Sequence, residues 1–345
     1  MTDNDKMTNI LTMGRSCVHL DLDNDAEKTM LQCIRSGEYR EYGPLTGFPE
    51  LHELIGEDLR IEAPCEVCVT DGGVQALQHV IGWLSREDTK NTFIDSDPAW
   101  VHSRNFARDM EQKLVTGKIS LEDIAEGCVV NLCSPQNPVG FSYTPAEKAA
   151  IAERCRQVDA WLLCDDTYFV YEPEYWTDWK HVYNQYPERT IAIWSASKIG
   201  LAGVRVGAFV CHPELMKTLV FGRANALGSS VVGQRAAIAA LKSKDRWLPA
   251  LQRQVQDNTR YIADRLAPLG VTVSGLSNSV DVSLPAQCKA LDIVAEMGQR
   301  GIEIAEGTKF CNPEGYDTNY IHLAVSVPRS WLERFCAVFE ELINV

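Results

Sequence analysis

From residue 67 onward, short apolar runs alternate with amphipathic stretches, and this alternation sets the expected architecture. Residues 67–70, 91–95, 128–133, 161–164, 189–194 and 206–210 are nearly continuous apolar runs of strand length. Strands that are apolar on both faces belong to a mainly parallel sheet covered on both sides. Between them, residues 74–85 and 144–158 carry the helical period, the second opened by T-P-A-E, a capping box with proline in its first turn. Upstream, residues 1–25 are polar and irregular, 26–36 form a helix, and R-E-Y-G-P-L-T-G-F-P-E-L at 40–51 is a loop running into a short helix at 49–59. Downstream, a long helix over 247–269 leaves the sheet. Strands at 271–273, 280–283 and 320–325 then mix with helices at 289–301 and 329–343, the pattern of a smaller α+β lobe. The expected organisation is an N-terminal segment, 1–45, packing on the small lobe, a large α/β domain over 46–245 and a small C-terminal α+β domain over 246–345.

A chain of 345 residues is long for one core, consistent with two lobes. Its formal charge of −14 argues against a nucleic-acid or anionic-membrane surface, which needs clustered Lys and Arg. No stretch reaches the roughly 18 apolar residues of a membrane span. The first residues lack the cationic and apolar regions of a signal peptide, so a cytoplasmic location is expected. The 12 cysteines sit mostly in apolar contexts and read as reduced core residues. Cys65 and Cys68 form one C-x-x-C with no second pair, so no metal site is expected.

The candidate chemistry lies where the strands end, because ligands of open α/β sheets bind at the carboxyl ends of strands. The 189–194 run stops at S-A-S-K, and the lysine there, Lys198, is either a solvated turn residue or one drawn out of bulk water, which favours its neutral form. A neutral amine attacks an aldehyde, and the usual one is pyridoxal 5'-phosphate. Ser195, Ser197 and Arg205 would then be phosphate donors. Gly72 and Gly73 leave backbone N–H groups free at a helix start, either as a plain turn or as an anion site. Trp100 offers a face for a heteroaromatic ring or is simply packed. In S-P-Q-N-P-V-G, prolines hold Asn137, whose amide would donate to a phenolate oxygen. Asp165, in D-D-T-Y, would keep a pyridine nitrogen protonated, whereas Asp166 reads as a helix cap.

Taken in order, G-G before a helix, D-P-x-W, S-P-Q-N-P-x-G, D-D-x-Y, S-x-S-K and G-x-R-x-G resemble the fold type I pyridoxal-phosphate enzymes, specifically the class I/II aminotransferase family. The resemblance covers about residues 40 to 340. It implies a mainly parallel sheet sandwiched by helices with a smaller C-terminal lobe, and Lys198 as Schiff-base lysine and proton shuttle. It further implies Asp165 on the ring nitrogen, Asn137 and Tyr168 on the 3-oxygen, and Trp100 stacked on the ring. Gly72, Gly73 and Val74 would meet the phosphate through N–H groups, with Ser195, Ser197 and Arg205. Tyr42 matches the family tyrosine that reaches the neighbouring subunit's phosphate, which implies a homodimer with shared active sites; Ser229 and Ser230 would lie near that contact.

Four departures stand out. The Lys198–Arg205 turn is one residue shorter than the common pattern, Val74 replaces a frequent threonine, and the N-terminal segment lacks G-x-P-x-F. His322 stands where the family has an arginine that forks onto the substrate α-carboxylate. Imidazole lacks two parallel donors, so either another cation such as Lys309 takes over or the substrate is held differently. The expected function is aminotransfer from an amino acid or related amine to a keto acid. The alternative is a lyase, replacement enzyme or cyclase on a functionalised amino acid in a specialised pathway. A cofactor-binding regulator would need a DNA-binding domain for which there is no room. A nicotinamide dehydrogenase would need a G-x-G-x-x-G that G-L-A-G-V-R-V-G does not supply.

Overall fold

The computed structural model describes residues 10–22, 24–86, 92–107, 110–172, 180–220, 228–275, 277–310 and 319–343. Residues 1–9 of the expected N-terminal segment and Asn91, where the second strand was expected to start, lie outside them. The described chain runs β1 (Leu11–Thr12), α1 (Ala26–Ser36), α2 (Pro49–Asp58), β2 (Glu66–Thr70), α3 (Gly73–Leu84), β3 (Thr92–Asp97), α4 (Val101–Phe106) and β4 (Glu111–Thr116). It continues through β5 (Val129–Cys133), α5 (Pro145–Gln157), β6 (Trp161–Asp165), β7 (Thr190–Ser195), β8 (Gly207–Cys211), α6 (Pro213–Val220), α7 (Val231–Lys242) and α8 (Lys244–Leu266). The last part comprises β9 (Val273–Ser274), β10 (Ser279–Ser283), α9 (Ala290–Gln299), β11 (Ile302–Glu303), β12 (Ala305–Glu306), β13 (Tyr320–Ala324) and α10 (Arg329–Ile343).

Seven strands form one sheet in the order β2-β8-β7-β6-β5-β3-β4. All neighbours are parallel except β8, which runs antiparallel to both β7 and β2. Side chains alternate between its two faces. Ile191 and Ile193 of β7 join Phe93, Val129, Leu163 and Phe209 beneath Leu77, Val80 and Ile81 of α3. Ala192 and Trp194 join Val130, Leu162, Cys164 and Ala208 on the opposite face. Burying a large apolar side chain stabilises by about 1.5–3 kcal/mol, so a sheet with two apolar faces is stable only when helices cover both. The expected sandwiched, mainly parallel sheet is what the chain forms.

A second, antiparallel sheet, β12-β13-β10-β9, lies in the C-terminal part of the chain, and β1 pairs in parallel with β11 through Leu11 and Ile302. Eight of the described cysteines are buried and all of those described are free thiols, Cys65 and Cys68 included. Among the described residues, no helix is long and apolar enough to cross a membrane.

Elements that the apolar pattern did not predict are instructive. Helix α7 reads V-V-G-Q-R-A-A-I-A-A-L-K and buries Val231, Ala236, Ala237, Ala240 and Leu241. Its small residues are apolar almost all round, which hides the amphipathic period. Strand β4 is an edge strand, E-Q-K-L-V-T, with Glu111 and Lys113 exposed; an edge needs charge rather than a continuous apolar run. The short helices α4 and α6 were likewise unpredicted.

Candidate active site

Strand direction brings the polar clusters together. Because β8 reverses the chain and β2 reverses it again, β2 points the same way as β3, β5, β6 and β7. Their carboxyl ends therefore share one edge of the sheet, where a cavity of about 210 Å³ opens. Its lining includes Lys198, Asp165, Tyr168, Asn137, Trp100, Gly73, Val74, Ser195, Ser197, Arg205 and His322 from the sequence reading. A larger open groove of about 1370 Å³ runs beside α2 and contains none of these groups.

Lys198 sits on the helical turn Ala196–Ile199 that follows β7, and Gly200, at φ 87°, ends that turn. The residue is half-buried in the cavity wall. Nζ donates to the Ser16 carbonyl at 3.0 Å and lies 4.9 Å from the centre of the Tyr168 ring. Burial lowers the amine from its ordinary 10.5 to about 8, opposed by the nearby Cys17 and Asp165. The lowering follows from the cost of a charged amine away from water.

Asp165, the last residue of β6, is buried. Thr167 donates to its Oδ1 twice, from N at 3.2 Å and from Oγ1 at 2.6 Å. Burial pushes the carboxyl upward, and the Thr167 bonds and Lys198 pull the other way. Asp166, read from the sequence as a helix cap, caps none: the helical turn that follows starts only at Phe169, and the Asp166 carboxylate pairs with His181, whose Nε2 is 3.0 Å away. Asn137 Nδ2 donates to the Tyr168 hydroxyl at 3.1 Å, while Asn137 Oδ1 is buried without a hydrogen-bond partner. Burial also raises the Tyr168 hydroxyl, keeping it protonated and able to donate.

One end of the cavity is an anion cradle. No side chain caps the start of α3, so its first N–H groups remain available. Gly72 has φ 96°, and a Cβ there would lie 2.2 Å from Arg205 Nη2. Only glycine lets the guanidinium close onto this turn. Arg205 Nη1 and Nη2 donate to the carbonyls of Ala202 and Asp71, so the shortened turn still delivers the arginine. Ser195 Oγ donates to Ser197 Oγ at 3.0 Å. Two hydroxyls, a guanidinium and an uncapped helix start fit a phosphate. With Asp165, the orphaned Asn137 oxygen and an activated amine beyond them, the residues fit a phosphorylated pyridine aldehyde.

Lys309, Tyr42, Ser229 and Ser230 from the sequence reading fall elsewhere. Lys309 is exposed on the turn Gly307–Lys309 and is absent from the lining; that turn sends Lys309 outward and Phe310 inward. Tyr42 is 79% exposed and shares a separate groove with Ser229 and Ser230. His322 does line the cavity, but both ring nitrogens are engaged: Nδ1 lies 2.6 Å from Asp281 Oδ1 and Nε2 lies 3.0 Å from Ser16 Oγ. The sequence reading missed Arg15, Ser16, Phe310 and Asp281. The one available signal was a carboxylate inside the apolar strand S-V-D-V-S, which pairs across register with His322.

The match to known proteins agrees with this geometry. Residues 18–310 match the model of the family described as aminotransferase class I and II. The chain is 26% identical over 329 residues to an aspartate/prephenate aminotransferase of Thermus thermophilus, covering 86% of this chain and 83% of that protein. It is 23% identical over 292 residues to an aromatic aminotransferase of Arabidopsis thaliana, covering 77% and 72%. The fold superposes on N-succinyldiaminopimelate aminotransferase from Mycobacterium tuberculosis with a TM-score of 0.83 at 18% identity, covering 97% and 94% of the two chains. This chain belongs to the class I and II aminotransferase family, whose members use pyridoxal 5'-phosphate. It is a pyridoxal-phosphate-dependent aminotransferase of fold type I.

Proposed function

We propose that the chain transfers an amino group between an amino acid or related amine and a keto acid, with Lys198 as its central group. When bound, pyridoxal 5'-phosphate supplies an aldehyde that captures amines and a ring that withdraws electrons from the reacting carbon. Lys198 Nζ would hold that aldehyde carbon, and as a free amine it would be the base that moves a proton at the substrate carbon. Asp165 would keep a proton on the ring nitrogen. Asn137 and Tyr168 would hold the 3-oxygen and Trp100 would face the ring, while the Gly73 and Val74 N–H groups, Ser195, Ser197 and Arg205 would anchor the phosphate; Gly72, expected to join them, instead makes the turn and donates its own N–H to the Thr70 carbonyl at 2.8 Å. The observation that carries this reading is a buried amine and a buried carboxylate lining one cavity beside an anion cradle.

The organisation that goes with it is a large domain over 46–245, a small one over 246–345 and an N-terminal segment, 1–45, on the small domain. It would act in the cytoplasm as a homodimer in which Tyr42 completes the partner's phosphate site. The test is spectroscopic. An amino-acid panel should shift the bound cofactor's absorption, and pyruvate or 2-oxoglutarate should restore it. If no keto acid restores it, the aminotransferase assignment fails.

A further inference from the structure

How the substrate's acid group is held follows from the side of the cavity closed by Gly14, Arg15, Ser16, Phe310 and His322, and the inference rests on the reading above. His322 is 1% exposed, and the carboxylate of Asp281 and the hydroxyl of Ser16 occupy its two nitrogens. In either tautomer the ring has no spare N–H, and Asp281 offsets any positive charge it carries. Lys198 and Arg205 are committed to the cofactor, and Lys309 is outside. Among the described lining residues, this leaves one cation, Arg15.

Arg15 is built to exchange partners. Its side chain is 74% exposed and meets Glu303 through a single contact, Nε to Oε1 at 3.3 Å, with Glu303 itself 40% exposed. Exposed pairs of this kind contribute little, so an incoming carboxylate displaces Glu303 at small cost and gains a guanidinium fork. The backbone beneath is firm. Met13 N donates to the Glu303 carbonyl at 2.8 Å, and a Cβ on Gly14 would lie 2.9 Å from the Ile304 carbonyl carbon. Ser16, at φ 50°, receives Asn278 Nδ2 at 2.8 Å and Lys198 Nζ at 3.0 Å on its carbonyl, while its hydroxyl meets His322.

We propose that Arg15 leaves Glu303 to bind the carboxylate of the substrate, and that Asp281, His322 and Ser16 form a positioning chain that fixes where Arg15 departs. The substrate class is then a carboxylate-bearing amine whose acid group reaches toward the cavity rim and Arg15.

Calorimetric titration of the holoenzyme with glutarate, an unreactive dicarboxylate, tests this. Arg15→Gln should weaken glutarate about fivefold to tenfold, and Glu303→Gln, which removes the competing carboxylate, should tighten it about twofold to fivefold. His322→Gln should weaken binding about twofold in the parent protein and have no further effect on the Arg15→Gln background, as expected for a group acting through Arg15. Cofactor absorption and the denaturation midpoint should be unchanged in both Arg15→Gln and Glu303→Gln. Unchanged affinity in Arg15→Gln, no binding of glutarate by the parent, or loss of binding on both backgrounds from His322→Gln would each overturn the inference. A persisting amine-driven absorption change in those cases leaves the aminotransferase assignment standing.

Discussion

At the scale of single residues, the site depends on making one amine easier to deprotonate. Lys198 is lowered to about 8 by burial, so in the cofactor-free protein its ammonium form carries a desolvation cost. Below pH 8 that cost is present in full. Between 8 and the ordinary 10.5, the unfolded chain still binds the proton and the folded chain does not, so stability rises with pH and the cost disappears. Replacing Lys198 by Met should therefore stabilise the cofactor-free protein at pH 7 by on the order of 1–3 kcal/mol, in denaturant unfolding. That gain should shrink steadily toward pH 10.5. An equal gain at both pH values would show that the amine is not desolvated. Lys198 and Asp165 were legible in the sequence because each ends an apolar run. Arg15 was not, since no local pattern separates it from an ordinary surface residue, and the one signal for Asp281, a carboxylate inside an apolar strand, does not name its partner.

At the scale of elements, the anion cradle depends on how closely β8 approaches the turn between β2 and α3. A Cβ on Gly207 would lie 2.3 Å from Gly73 N and 2.4 Å from the Gly72 carbonyl carbon. Backbone cannot yield as a flexible side chain can. Gly207→Ala should cost about 2–4 kcal/mol in denaturant unfolding and weaken cofactor binding, read by dialysis against pyridoxal 5'-phosphate. Unchanged affinity would show that the cradle tolerates displacement. The helix starting at Thr144 shows the opposite relation, where local chemistry suffices: the Thr144 side chain accepts from Glu147 N, and Glu147 returns to Thr144 N. Its capping box was readable without tertiary information, whereas α7 required knowing that neighbours bury it on nearly every side.

At the scale of the molecule, an apolar set remains uncovered near the start of the chain. Leu31 and Ile34 of α1 are exposed, as are Tyr39, Tyr42 and Leu45 in the loop that follows. With Tyr42 opening the groove that holds Ser229 and Ser230, the proposed homodimer would cover this face. Ser229 Oγ donates to Asp71 at 2.7 Å, linking the groove to the residue just before the cradle glycines. Sedimentation should give twice the chain mass, and Ile34→Glu should shift the equilibrium toward monomer while lowering cofactor affinity. A parent protein that sediments as a monomer with full cofactor affinity would refute the shared site.

The order of apolar runs and the polar cluster closing each one were enough to specify a covered, mainly parallel sheet with its polar clusters gathered along one edge. Both are written in consecutive residues, because strand burial and strand termination are local. The substrate end was decided only in three dimensions. Asp281 meets His322 across 41 residues, Lys198 reaches Ser16 across 182, and His322 reaches Ser16 across 306. Such contacts arise from the register between strands and the return of the N-terminal segment onto the C-terminal part of the chain. A linear pattern carries neither, so the occupied imidazole and the exchangeable arginine emerged only once the chain was folded.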